Sequence, residues 1–150
     1  MQTGQAKWIS KTWKIAKRFF IVIIVIYGIL FAINRKYPKQ FYDCERDTQY
    51  LHGGVQTYDG QKYGIVLCGT GGDENFMGDE IRLQVLSEKG ELLAQRRFTV
   101  DWITNFPREL KYGPDYVTYY DASQQTHFEH RISMPPTRWD WVRARLPLLS

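Results

Sequence analysis

Fifteen consecutive residues, FFIVIIVIYGILFAI from Phe19 to Ile33, carry no charge and no strongly polar group. At about 1.5 Å per residue a helix over this run reaches roughly 22 Å, short of the ~30 Å hydrocarbon core of a bilayer. The flanks supply the rest. Trp13 and Tyr37 suit the two interfaces, and Lys14, Lys17, Arg18 and Arg35 extend their charges outward, so Trp13 to Tyr37 reads as one membrane-spanning helix. Two other readings compete with an anchor. A cleaved signal peptide needs small residues at the minus-three and minus-one positions of its cleavage site, and Leu30 and Ala32 before Ile33 match that poorly. A core helix is expected to show one polar face, and this run has none.

Charge orients the anchor. Residues 1–37 hold seven Lys or Arg and no acid, while residues 38–150 hold the remaining thirteen bases and all sixteen acids, giving net charges of +7 and −3. The basic balance therefore belongs to the anchor and is no argument for nucleic acid. Lys7, Lys11, Lys14, Lys17 and Arg18 precede the apolar run, against Arg35, Lys36 and Lys39 after it. The excess of positive charge before the run predicts a cytoplasmic N-terminus and an exported C-terminal domain. This is the topology of a single-pass membrane protein with an exported domain. Both cysteines, Cys44 and Cys68, lie on the exported side, and an even number there favours one disulfide over two buried thiols.

The expected organisation is a cytoplasmic tail and anchor over residues 1–37, a polar, turn-rich stalk over 38–54 and an exported β-rich domain over 55–150. In VQTYDGQKYGIVLC, Asp59-Gly60 separates two strand-like runs, a hairpin signal because a type I′ turn needs positive φ. In EIRLQVL, Ile81, Leu83 and Val85 alternate with polar residues, the pattern of a strand with one wet face. A turn over Ser87 to Gly90 leads into ELLAQRRFTVDW, where Leu92, Ala94, Phe98, Val100 and Trp102 mark the inward face and Arg96 interrupts it. DYVTYYD and THFEHRISM form a third hairpin across Ala122 to Gln125. The predicted fold is thus mainly β, a small antiparallel sheet or sandwich of six strands with a short C-terminal helix. In that helix Thr137 and Asp140 approximate a capping box, Trp139, Val142, Arg143 and Leu146 share a face that packs on the sheet, and Pro147 ends it.

CGTGGDENFMGDE, Cys68 to Glu80, concentrates glycine and carboxylate residues after an apolar strand. It fails as a phosphate loop, which needs Lys and Ser or Thr where Asp79 and Glu80 stand. It fails as an EF-hand, since Met77 and Gln84 fall on ligand positions counted from Asp73. A dinucleotide fingerprint has to open a helix, whereas the residues that follow alternate like a strand. In HFEH, a strand puts His127 and Glu129 on one face and His130 on the other, which splits a metal set. Neither a nucleophile elbow nor the downstream cysteine pair of the zinc deaminases is present, so no catalytic residue, metal or cofactor is expected. Recognition residues sit most often on loops held by a rigid scaffold. The expected partner-binding set is Asp73, Glu74, Phe76, Met77, Asp79 and Glu80, together with Tyr116 and Tyr119 from the tyrosine-rich segment that also holds Tyr112 and Tyr120. The alternative for these tyrosines is a half-buried sheet face.

The segments DEIRLQVLSEKGELLAQRRFTVDW, TNFPRELKYGPDY and ISMPPTRWDWVRARLPLL, together about a third of the chain, are similar to small membrane-anchored proteins of Gram-negative bacteria that accompany secreted antibacterial toxins. The resemblance has no defining motif and carries over no functional residue. It implies an immunity protein, single-pass in the bacterial inner membrane with its C-terminal domain periplasmic, that binds a cognate toxin and blocks its active site or its entry. The rival reading is an accessory or structural subunit of a cell-envelope assembly. Such a subunit often packs its anchor through small residues, and this one offers only Gly28 and Ala32.

Overall fold

The computed structural model describes residues 3–36, 39–71 and 78–146, and the chain divides into two compact units, Met1–Pro38 and Lys39–Ser150. The first unit is helix α1, Thr3–Lys36. Its window Ala16–Ile33 spans 18 residues with a mean hydropathy of 2.3, and none of it is buried. That window covers about 27 Å, so α1 is long and apolar enough to cross a bilayer.

The second unit is mainly β, with two antiparallel sheets and two short helices. Strands β1 (Gly54–Tyr58), β2 (Gln61–Gly69), β3 (Asp79–Ser87) and β4 (Leu92–Val100) lie side by side in chain order. Strands β5 (Lys111–Tyr112), β6 (Tyr116–Tyr120) and β7 (Glu129–Ser133) form the second sheet. Helix α2 (Cys44–Tyr50) precedes the strands and α3 (Arg138–Arg145) follows them. The β1–β2 turn is the expected one: Asp59 and Gly60 have φ of 49° and 75°, which closes the hairpin on the Tyr58–Gln61 pair. The hairpins β3–β4 and β6–β7 also form as the alternation requires. Strand β5 was not foreseen, because two residues show no periodicity.

One core joins the two sheets. Ile65, Leu67, Ile81, Leu83, Val85, Ala94, Phe98 and Val100 meet Leu110, Val117, Tyr119, Ile132 and Met134. The rings of Phe98 and Tyr119 are 5.0 Å apart. Each fully buried Leu, Ile or Val contributes about 1.5–3 kcal/mol of transfer free energy.

Three expectations need correction. The segment read as a stalk is folded: within residues 39–54, α2 forms and Leu51 is buried in the core. Trp102 lies beyond β4 and is exposed, and Arg96 occupies the inward position it seemed to interrupt. Helix α3 is rotated from the expected setting: Asp140 and Ala144 are buried, Val142, Arg143 and Leu146 of the expected face are half-buried, and Trp139 is 61% exposed. Asp140 explains the rotation. Its carboxylate accepts hydrogen bonds from the Thr137 N–H (3.0 Å) and Oγ1 (2.6 Å), its own N–H donates to Thr137 Oγ1 (3.2 Å), and it pairs with Arg96 of β4. Holding Asp140 against β4 brings Ala144, one turn on, to the same side. The capping box itself is as expected, and Pro147 lies outside the described residues.

The margins of the four-stranded sheet are covered locally. Strand β1 pairs with β2 only as far as Ile65, and past that point α2 takes its place. Thr48 Oγ1 accepts from the Leu67 N–H (2.9 Å) and donates to the Leu67 carbonyl (3.2 Å), and Asp47 Oδ2 accepts from the Gly69 N–H (2.6 Å). On the other margin, the Thr99 N–H donates to Asp121 Oδ1 (3.1 Å), the Thr99 carbonyl accepts from the Ala122 N–H (2.8 Å), and the Leu92 carbonyl accepts from Arg145 (3.1 Å).

Candidate binding surface beside the glycine-rich loop

The loop that follows β2 leaves the sheet between fastened ends. Cys68 is bonded to Cys44, the first residue of α2, as the cysteine positions suggested. The next residue, Gly69, donates its N–H to Asp47 and accepts from the Tyr42 N–H (2.9 Å). The Thr70 N–H lies 3.0 Å from the Glu80 carbonyl and 3.1 Å from Asp79 Oδ1, and Thr70 Oγ1 donates to the same carboxylate oxygen at 2.8 Å. Asp47 and Asp79 are both buried and flank the Gly69 backbone. A Cβ at Gly69 would stand 2.6 Å from a carboxylate oxygen of each, so a side chain there would have to displace them. Gly71 adopts φ of 68° against the Tyr42 ring, a conformation that glycine takes without strain.

This anchorage sorts the expected binding residues. Asp73, Glu74, Phe76 and Met77 lie outside the described residues. Asp79 is buried and ties the loop ends together, so its carboxylate is not presented to a partner. Glu80 is half-buried and pairs with Lys39. Tyr119 is in the core with only 8% exposure, and Tyr120 is also buried, against Phe128. Tyr116 is half-buried, with the Arg131 guanidinium 4.6 Å from its ring centre. Tyr112 is half-buried too, and its hydroxyl donates to the His52 carbonyl. Burial and the neighbouring Tyr58 push the Tyr112 phenol up to about 12, against a lowering contribution from Gln56. The tyrosine segment is therefore largely a sheet strand.

Sequence reasoning passed over the residues on the outer face of β3 and β4 next to the loop. Glu80, Arg82 and Gln84 face Thr99, Arg97 and Gln95 in register, and Gln84 Nε2 donates to Gln95 Oε1 at 2.9 Å. Arg82 and Arg97 are directly opposed, and Phe41 lies over both, with its ring centre 4.5 Å and 5.7 Å from their guanidinium carbons. The Nε atom of each arginine is buried and has no hydrogen-bond partner among the described residues. Burial, and then repulsion from Arg97, hold the Arg82 guanidinium below the usual arginine range. Counting back from the Ser87–Gly90 turn could have paired the two arginines. Nothing in the sequence pointed to Phe41.

The histidines do not gather. His130 stacks on Tyr119 at 5.3 Å, and His52 Nδ1 lies 3.5 Å from Glu109. Among the described residues no group of three or more His, Cys, Asp or Glu is placed to hold a metal ion. Comparison of the chain with protein-family models, curated proteins and solved structures yields no match.

Proposed function

We propose that this protein is a periplasmic binding protein tethered to the inner membrane, an immunity protein that captures and neutralises a secreted antibacterial toxin. The observation that carries the reading is the fastening of both ends of the acidic loop in a disulfide-closed β domain, by Cys44–Cys68, Asp47 and the Thr70–Asp79 bonds. A scaffold of this kind limits the ordering cost when loop residues engage a partner. The helix α1 supports a tether, the charge asymmetry supports export of the β unit, and the disulfide supports an oxidising compartment. The sequence resemblance supplies the toxin.

The experiment has two arms. A reporter active only after export, fused after Ser150, is expected to work in intact bacteria, and activity of a cytoplasmic reporter there would overturn the topology. Crosslinking of the full-length chain in its own membranes is expected to recover a secreted protein that is toxic in the periplasm of cells lacking the chain. Charge reversal at Asp73 and Glu74 then slows association, with the difference fading in high salt, and Phe76→Ala speeds dissociation at a cost on the order of 2 kcal/mol. Unchanged rates in both variants would remove the loop from the interface.

A further inference from the structure

We propose that Arg82 and Arg97, backed by Phe41, form a binding site for a phosphate group on the outer face of β3 and β4. Like charges directly opposed across adjacent strands destabilise a sheet, and here the opposed pair is also partly removed from water. The carboxylate nearest in the strand, Glu80, is taken by Lys39, and neither arginine forms an ion pair among the described residues. Lys39, Glu80, Arg82 and Arg97 together leave two positive charges in a unit whose residues 38–150 sum to −3. Phe41 covers guanidinium carbon, and its quadrupole offsets part of the charge without donating or accepting a hydrogen bond. The terminal N–H groups of two planar forks remain. A carboxylate satisfies one fork through two oxygens, whereas a phosphate group presents more oxygen and charge to two forks at once. Two sources offer that chemistry: dissolved phosphate, and the headgroups of the bilayer that α1 is suited to cross. The proposal does not depend on the proposed toxin contact.

Arginine footprinting tests the site. The full-length chain, oxidised and held in a phosphate-free maltoside detergent, is treated with phenylglyoxal, and modification is mapped by mass spectrometry. Parallel samples contain inorganic phosphate, acetate or chloride at equal ionic strength, or phosphatidylglycerol in the micelle. At a phosphate concentration about four times its Kd, Arg82 and Arg97 should be modified about fivefold less than in chloride, with Arg131 and Arg145 unchanged. Arg97→Gln should abolish the protection of Arg82. Protection by both phosphatidylglycerol and phosphate assigns a lipid headgroup, and protection by inorganic phosphate alone assigns the dissolved ion. Equal modification in phosphate and chloride overturns the proposal, as does parallel protection of Arg131 and Arg145, which would reflect ionic atmosphere only. Equal protection by acetate overturns it in favour of a carboxylate from a protein. Protection confined to an Asp73→Asn, Glu74→Gln variant overturns it by assigning the counter-charge to the chain itself.

Discussion

Replacing Asp140 by Asn removes one charge and almost no volume, and the structure predicts a large loss of stability from it. Arg96 and Asp140 are 8% and 7% exposed, and the Arg96 guanidinium bonds to Asp140 and, at 2.7 Å, to the Gln95 carbonyl, with Asp140 its one carboxylate partner among the described residues. Removing one partner of a buried ion pair costs about 3–5 kcal/mol, because the remaining charge stays buried. The Asn amide oxygen still accepts from Thr137, so less than the ~1 kcal/mol of a lost helix cap is added. A loss of about 3–4 kcal/mol in a domain of this size corresponds to a Tm lower by roughly 12–20 °C. Urea unfolding of the oxidised full-length chain in detergent, followed by tryptophan fluorescence, measures it. Acid adds a second signature. Burial alone would raise the Asp140 carboxyl, but the Thr137 hydroxyl and N–H and then Arg96 outweigh it and hold the group below its ordinary range. A depressed carboxyl contributes stability that is full above its unfolded value, about 3.9, and is lost as pH falls through the folded value. The advantage of the wild type over Asp140→Asn should therefore be constant above about pH 5 and shrink on acidification below about pH 4. An Arg96→Met, Asp140→Leu double variant should recover part of the loss. A cost under about 1 kcal/mol for Asp140→Asn, or strict additivity in the double variant, would refute the argument.

Two further predictions concern the loop base. Cys68→Ser opens a link between residues separated by 24 positions, and should lower stability by roughly 3.5 kcal/mol on the chain-entropy estimate, read as a lower midpoint in urea. Gly69→Ala should cost at least about 1–3 kcal/mol, since its Cβ meets two buried carboxylates, whereas Gly64→Ala, whose Cβ meets Leu86 at 3.8 Å, should stay within about 1 kcal/mol of the wild type. Equal midpoints for the two glycine variants would show that the carboxylates move aside.

The strands were legible because they are half-buried. Ile81, Leu83 and Val85 face the core while Arg82 and Gln84 face outward, so burial writes itself into the sequence with period two. Asp59-Gly60 was legible for a local reason, the positive φ of its turn. What escaped depended on partners distant in sequence. Arg96 looked like an interruption because its counter-charge is 44 residues away, and that same contact set the rotation of α3. Residues 39–54 looked like a stalk because α2 is short and polar, and its buried Asp47 serves the Gly69 backbone. Asp79 read as a surface loop residue for the same reason, yet it is buried and hydrogen-bonds Thr70.

The covered margins of the four-stranded sheet bear on how a population of these molecules behaves. Domains tethered in one membrane plane, as proposed here, collide often and in similar orientations, so an open strand edge would invite ribbons of like chains. Side chains of α2 close one end of β2, and Asp121, Ala122 and Arg145 occupy backbone groups of β4. At the other end of the β2 margin β1, a strand of only five residues, is the outer strand. Partial cover of both margins should therefore favour lone molecules over polymers when the membrane is crowded.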